Sequence, residues 1–218
     1  MNSNILDVKN LVVKYGEHTV LDDINFIISS HSFVSIVGPN GAGKSTLIKV
    51  LLGLTEYSSG NVLLFGKKPS RVDSSLISYV PQIKTMDRNF PAIAIELVLS
   101  GVKQRWPWTL HGEARSKAEN ALKLVGAKQI ANRSIAELSG GELQRVAVAR
   151  AVAAKPKIIL ADEPTANLDS KNSTALMDMM RSLNEKEGVT ILFASHDEYV
   201  IESVRRIIRL NDGAIVES

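Results

Sequence analysis

The chain has 218 residues, 44% of them hydrophobic and 22% charged, with a formal net charge of +3 and no cysteine. That composition fits one globular domain, excludes disulfides and cysteine-held metals, and, with no basic tract, gives nucleic-acid binding no support. The opening MNSNILDVKN lacks the basic and apolar regions of a secretory signal, and no apolar run approaches the roughly 18 residues a bilayer span requires. A soluble, intracellular chain is expected, with any membrane role exercised through a partner.

In chain order, ILDVKNLVVKY and HTVLDDINFIIS alternate like half-buried strands around Gly16-Glu17. The buried strand SFVSIV runs straight into a glycine loop, and KSTLIKVLL is helical up to Gly53. NVLLFG and LISYVPQ read as two further strands. From Ile83 to about Ala154 strand signals give way to helical patterns such as AIELVLSGV and EARSKAENALKLVGA, which predicts an inserted helical lobe over about 83–154. KIILADEP then resumes the core as a short apolar strand of the buried parallel type. STALMDMMRSLNEKEG is helix, VTILFASH strand, DEYVIESV helix, and RRIIRLNDGAIVE a hairpin turning at Asp212-Gly213. The alternation predicts one α/β domain over 1–218, with a mostly parallel sheet behind an antiparallel N-terminal portion.

GPNGAGKS, Gly38 to Ser45, fits G-x-x-x-x-G-K-[ST] between a strand and a helix, the context this phosphate-binding motif requires. Its glycines let backbone N–H groups turn inward around phosphate oxygens. Lys44 supplies a charge to the terminal phosphates, and the Ser45 hydroxyl is placed to ligate Mg²⁺.

IILADEP puts Asp162 and Glu163 at the end of a buried strand. Adjacent strand residues face opposite ways, so different roles are expected: Asp162 holding Mg²⁺, Glu163 orienting or deprotonating a water. His196, ending ILFASH, and Gln82, ending SYVPQ, reach the same edge because parallel strands share their ligand-facing ends.

A second glycine pair stands in AELSGGELQRVAVARA. Ser139 can cap the following helix, with Glu142 completing a capping box, and Leu143, Val146, Ala147, Ala151 and Ala154 form its apolar stripe. A capped helix explains Ser139 and Glu142 but not two consecutive glycines, which suit close approach of backbone to a ligand.

GPNGAGKST, LSGGELQR and IILADEP, in that order with a helical lobe between the first two, resemble the ATP-binding cassette (ABC) ATPases over essentially the whole chain. The resemblance implies two cassettes sandwiching two ATPs head to tail, each ATP on one copy's phosphate loop and against the other's signature helix. It implies adenine stacking by Tyr15 and phosphate binding by Gly38, Pro39, Asn40, Gly41, Ala42, Gly43, Lys44, Ser45 and Thr46. Gln82 would sense Mg²⁺ and face a membrane partner, and Ser139, Gly140, Gly141 and Glu142 would meet the partner copy's nucleotide. Asp162 would assist Mg²⁺, Glu163 would be the catalytic base, His196 would contact the γ-phosphate, and Asp169 would lie in the loop communicating between copies. ATP and Mg²⁺ are the implied cofactors. The implied partners are a permease, a second copy and a substrate-binding protein, at the cytoplasmic face of the membrane, with no nucleic acid.

After Gln82, the pattern of Asp87, Phe90-Pro91 and Glu96-Leu97-Val98 resembles the manganese/zinc-uptake branch, although Ile93 and Ala94 depart from its usual residues. The later half, DEPTANLDS and RSLNEKEGVTILFASHD, is more similar to the lipoprotein-release and efflux branch. RWPWTLHG, with Trp106 and Trp108, suits either a membrane-facing contact or packing under the lobe. Met177, Met179 and Met180 read as packing residues.

Overall fold

Local pattern decides where each element begins and ends. In a computed structural model, residues 4–82, 90–102, 112–166, 168–197, 204 and 206–217 are described. The long alternating segments form β1 (Asn4–Tyr15) and β2 (His18–Ser29), which pair antiparallel across Gly16, itself at φ 60. A third strand, β4 (Ser59–Leu64), closes this sheet in the order β2-β1-β4.

The apolar runs without alternation build the second sheet: β3 (Phe33–Val37), β5 (Ile77–Val80), β6 (Ile158–Asp162) and β7 (Thr190–Ser195). Its order is β5-β6-β7-β3-β8-β9. All pairings are parallel except the terminal hairpin of β8 (Arg206–Asn211) and β9 (Ala214–Glu217). Strands β3 and β7 are buried at every position, as expected of strands covered on both faces. The hairpin turns at Asp212 and Gly213, with φ 43 and 79, the double positive φ that tight hairpins need.

One face of this sheet shares a core with the three-stranded sheet and α1 (Lys44–Leu51): Leu21, Ile24 and Ile28 pack with Leu47, Ile48, Val34 and Ile36. The other face packs on helices α2 (Ala94–Val102), α3 (Glu113–Leu124), α4 (Gly140–Ala153) and α5 (Ser170–Glu187). At Gly101 the backbones of α2 and α4 touch: a Cβ there would lie 2.2 Å from the Arg150 carbonyl oxygen.

The expected apolar stripe on α4 is wider than its spacing suggested. Leu143, Val146, Ala147 and Ala151 are buried and Ala154 is half-buried, but Val148, Ala149, Val152 and Ala153 are buried as well. The helix is enclosed by α2, α3, β5 and α5 and so has no broad solvent face. Met177 and Met180 lie in the same core, with Met179 at its edge. Asp87, Trp106, Trp108 and nearly all of the helix expected over DEYVIESV lie outside the described residues.

Below the sheet, Asn184 near the end of α5 donates from Nδ2 to the carbonyls of His31 (3.0 Å), Ser32 (3.3 Å) and Val189 (2.8 Å), stapling helix and strands together.

Candidate functional site

Strand register assembles the site. Val80 lies opposite Ala161, Asp162 opposite Ala194, and Val37 opposite Ser195. Four parallel strands therefore end together, and the residues just beyond them, Gln82, Glu163, His196 and Gly38, line one edge. This is the edge at which doubly wound sheets bind ligands.

From that edge the glycine loop climbs into α1. Gly43 is the N-cap, at φ 98, and supplies no side-chain cap, while the first turn of the helix carries no acid. The first N–H groups of a helix have no intrahelical acceptor, so this end is left to an outside anion. A Cβ on Gly43 would come 2.6 Å from Leu21 Cδ2 and 3.0 Å from the Val20 carbonyl; one on Gly38 would come 2.0 Å from the Leu210 carbonyl. Gly41, at φ 87, instead faces open space. Two glycines are thus required by the protein's own packing and one by the turn.

Lys44 is 5% exposed. Its Nζ donates to the carbonyls of Gly38 (2.8 Å) and Pro39 (2.9 Å) and stands 3.8 Å from Glu163 Oε1. Burial pushes its ammonium below the usual lysine range, while the charges of Glu163 and Asp162 pull it back up. Ser45 Oγ donates to Asp162 Oδ1 at 3.0 Å. Burial raises the Asp162 carboxyl above the ordinary aspartate range; the Ser45 hydroxyl opposes this and the Glu163 charge adds to it. A hydroxyl and a carboxylate side by side are the hard oxygen ligands that suit Mg²⁺ together with phosphate and water oxygens.

The two acids do not separate by strand alternation. Strand β6 stops at Asp162, and Glu163 takes a left-handed backbone at φ 47, with its N–H bonded to the Ala194 carbonyl. This turn keeps both carboxylates on the loop side. Asp162 reaches Ser45, whereas Glu163 reaches Lys44, His196 Nδ1 (3.0 Å) and Gln82 Nε2 (3.5 Å). A left-handed non-glycine residue at such a place marks a constrained position.

Sequence similarity agrees with this geometry. The family model described as "ABC transporter" matches residues 21–166, which runs from within β2 through the glycine loop to just past the two acids. The chain belongs to the ATP-binding cassette family. This cassette is accordingly an ATPase, the nucleotide-binding subunit of a transporter. It is 34% identical over 220 residues to the zinc uptake system ATP-binding protein ZurA of Listeria innocua serovar 6a, covering 99% of this chain and 86% of that one. It is 35% identical over 227 residues to the lipoprotein-releasing system ATP-binding protein LolD of Francisella tularensis subsp. holarctica, covering 99% and 97%. Among solved structures it superposes on the dimeric MJ0796 cassette with TM-score 0.83 and 34% identity, over 97% of each chain.

The signature stands apart from the loop. Ser139 caps α4 by accepting from the Glu142 N–H, and Glu142 Oε2 accepts from the Ser139 N–H (2.8 Å) and hydroxyl (2.9 Å), completing the expected capping box. Those bonds, with Arg133 behind them, hold the Glu142 carboxyl below the usual glutamate range. Among the described residues, no hydrogen bond or ion pair joins Ser139–Glu142 to Gly38–Thr46. Gly140 lies near Leu168, and a Cβ on Gly141 would meet Asn172 Oδ1 at 3.1 Å. Asn172 is in turn bonded to Asp169, the N-cap of α5, through both N–H (2.8 Å) and Nδ2 (2.9 Å). Tyr15 ends β1 and is 54% exposed.

Two residues of this neighbourhood escape sequence reading. Asn172 could have been found as the third residue after a capping aspartate. Arg133, which donates to Glu142 Oε1 at 2.8 Å, is joined to it by a loop with no periodic spacing.

Among the described residues no helix is long and apolar enough to cross a membrane.

Proposed function

We propose that this cassette closes head to tail on a second copy around two ATPs and drives a separate permease that takes up a divalent metal. The observation that carries the first part is the separation of two incomplete anion sites in one chain. The phosphate loop has catalytic side chains beside it, while the signature offers a capped helix start and two glycines with no triphosphate seat of its own. Each would complete the other in a pair. Likeness to a dimeric cassette supports this reading.

In the closed pair, the backbone N–H groups from Gly41 to Thr46 hold the β- and γ-phosphates, with Lys44 exchanging its carbonyl partners for phosphate oxygens. Tyr15 stacks on the base. Ser45, Asp162 and Gln82 hold Mg²⁺, which supplies charge neutralisation to the phosphates when bound. Glu163 orients a water and accepts its proton, and His196 bridges Glu163 and the γ-phosphate. The Ser139 hydroxyl and the N–H groups of Gly140 and Gly141 contact the other copy's γ-phosphate, and Asp169 lies in the loop between the copies.

Glu163→Gln retains ATP binding, loses about 10² to 10⁴ in hydrolysis rate, and forms an ATP-dependent dimer visible by light scattering. Turnover at the parent rate would remove Glu163 as the base; a monomer at saturating ATP would refute the composite site.

The metal assignment rests on likeness to ZurA and on the Phe90-Pro91 and Glu96-Leu97-Val98 pattern. Phe90 is 50% exposed just before α2, where a permease helix can dock at the cytoplasmic face. A substrate-binding protein completes the importer. Lipoprotein release is the second reading, supported by the equally long match to LolD. Uptake of zinc and manganese by a deletion strain separates the two: unchanged uptake of both leaves the second.

A further inference from the structure

The signature carries an acid where an anion is to arrive. Glu142 Oε2 takes both the N–H and the hydroxyl of Ser139, so the carboxylate sits directly behind the group proposed to face the partner's γ-phosphate. Like charges at such a distance repel, and the repulsion grows when closure of two chains removes water. Among the described residues, one cation meets this acid. Arg133 donates from one guanidinium nitrogen to Glu142 Oε1 (2.8 Å) and from the other to the Glu137 carbonyl (2.9 Å). Its backbone is fixed independently, because the Arg133 carbonyl accepts from the Ala94 N–H at 3.0 Å and its own N–H bonds the Ile130 carbonyl at 3.0 Å.

We infer that Arg133 is a positioning residue of the composite ATP site: it neutralises Glu142, so that the signature receives the partner copy's γ-phosphate despite carrying a carboxylate. This rests on the head-to-tail reading above. In the single chain the Arg133 and Glu142 side chains are 43% and 32% exposed, so their ion pair contributes little to the stability of the fold. Its contribution arises on closure, when these two side chains lose their water.

The test uses the full chain in a Glu163→Gln background, with ATP-dependent association measured by analytical ultracentrifugation beside thermal melting of the nucleotide-free protein. Arg133→Ala leaves melting within about 2 °C, as expected for an exposed pair, and weakens association at least about tenfold. Glu142→Gln in the Arg133→Ala chain restores association to within about threefold of the parent, because the neutral amide no longer needs a counter-charge. Arg133→Lys retains most of the association. Failure of Glu142→Gln to rescue assigns Arg133 a purely structural part and overturns the inference, as does undiminished association of Arg133→Ala. If the Glu163→Gln parent itself stays monomeric in ATP, the head-to-tail reading falls and takes this inference with it. That outcome is distinct from the other two.

Discussion

His196 Nδ1 lies 3.0 Å from Glu163 Oε1, across the neighbouring ends of β7 and β6. Neither strand alone places these groups together. The contact arises because β6 and β7 run parallel in register and Glu163 turns back in a left-handed conformation. An ionised carboxylate only accepts, so the imidazole donates to it and fixes its orientation. Among the described residues, removing that partner leaves the Glu163 carboxylate with Lys44 and Gln82. We expect His196→Ala to lower ATP turnover by about 10²-fold, the scale for losing one preorganised donor. ATP binding, followed by fluorescent-nucleotide titration, should change only a few-fold. A turnover loss below threefold would show that Glu163 needs no such support.

Asp162 is expected to oppose folding in the absence of nucleotide. Burial raises its carboxyl above the ordinary value of 3.8, so the folded state binds a proton more tightly than the unfolded chain. Wild-type stability relative to Asp162→Asn therefore falls as pH rises from about 3.8 through the elevated value, and stays lower at neutral pH. The Asn Oδ1 still accepts from Ser45. Melting of the two proteins at pH 7 should show the nucleotide-free variant to be more stable, while its Mg²⁺-dependent hydrolysis is lost. This is the trade expected of a site whose charges serve function rather than folding. Equal melting at pH 7 would contradict it.

Gly38 is fixed by a backbone rather than by a phosphate. Its missing Cβ would stand 2.0 Å from the Leu210 carbonyl of β8, so Gly38→Ala forces the loop or the strand to move. A cost of about 1 to 3 kcal/mol is expected, read as a lower melting temperature, with weaker ATP binding following from the displaced loop. Gly41→Ala meets no atom but must hold φ 87, so its effect should fall on the turn alone. If Gly38→Ala is the milder of the two, the packing reason is wrong.

Gln144, inside the signature helix, is fully buried, and neither its Oε1 nor its Nε2 has a hydrogen-bond partner among the described residues. Leaving such an amide unpaired costs about 1 to 3 kcal/mol. Gln144→Met keeps the length of the side chain and removes both polar atoms. We expect a gain of about 1 kcal/mol or more in denaturant unfolding. A loss would mean that the amide finds partners in solution.

These elements differ in how plainly the chain announces them. The phosphate loop, the strand ending at Asp162, the hairpin at Asp212-Gly213 and the Ser139 capping box each depend on residues within ten positions, so local pattern is enough to read them. The convergence of Gln82 and His196 also follows, because parallel strands share an edge. Other features depend on distant partners. That β4 joins β1 while β5 joins β6 is decided by packing, since both segments read alike as short strands. The left-handed turn of Glu163 goes with its bond to the Ala194 carbonyl on a neighbouring strand, so strand alternation alone does not describe how the two acids are set apart. Arg133 meets Glu142 only after the loop between them has folded onto the start of α2.

One backbone bond has a mechanical corollary. The Asp22 N–H donates 2.8 Å to the carbonyl of Gly213, and a Cβ on Gly213 would come 2.5 Å from the Val20 carbonyl. The closing hairpin of the large sheet is thereby riveted to the second strand of the small one. We expect the small sheet that carries Tyr15 and the glycine loop then to travel as a single plate. Any relative motion on ATP binding is therefore expected in the helices on the far side, with the small sheet as the fixed jaw of a clamp.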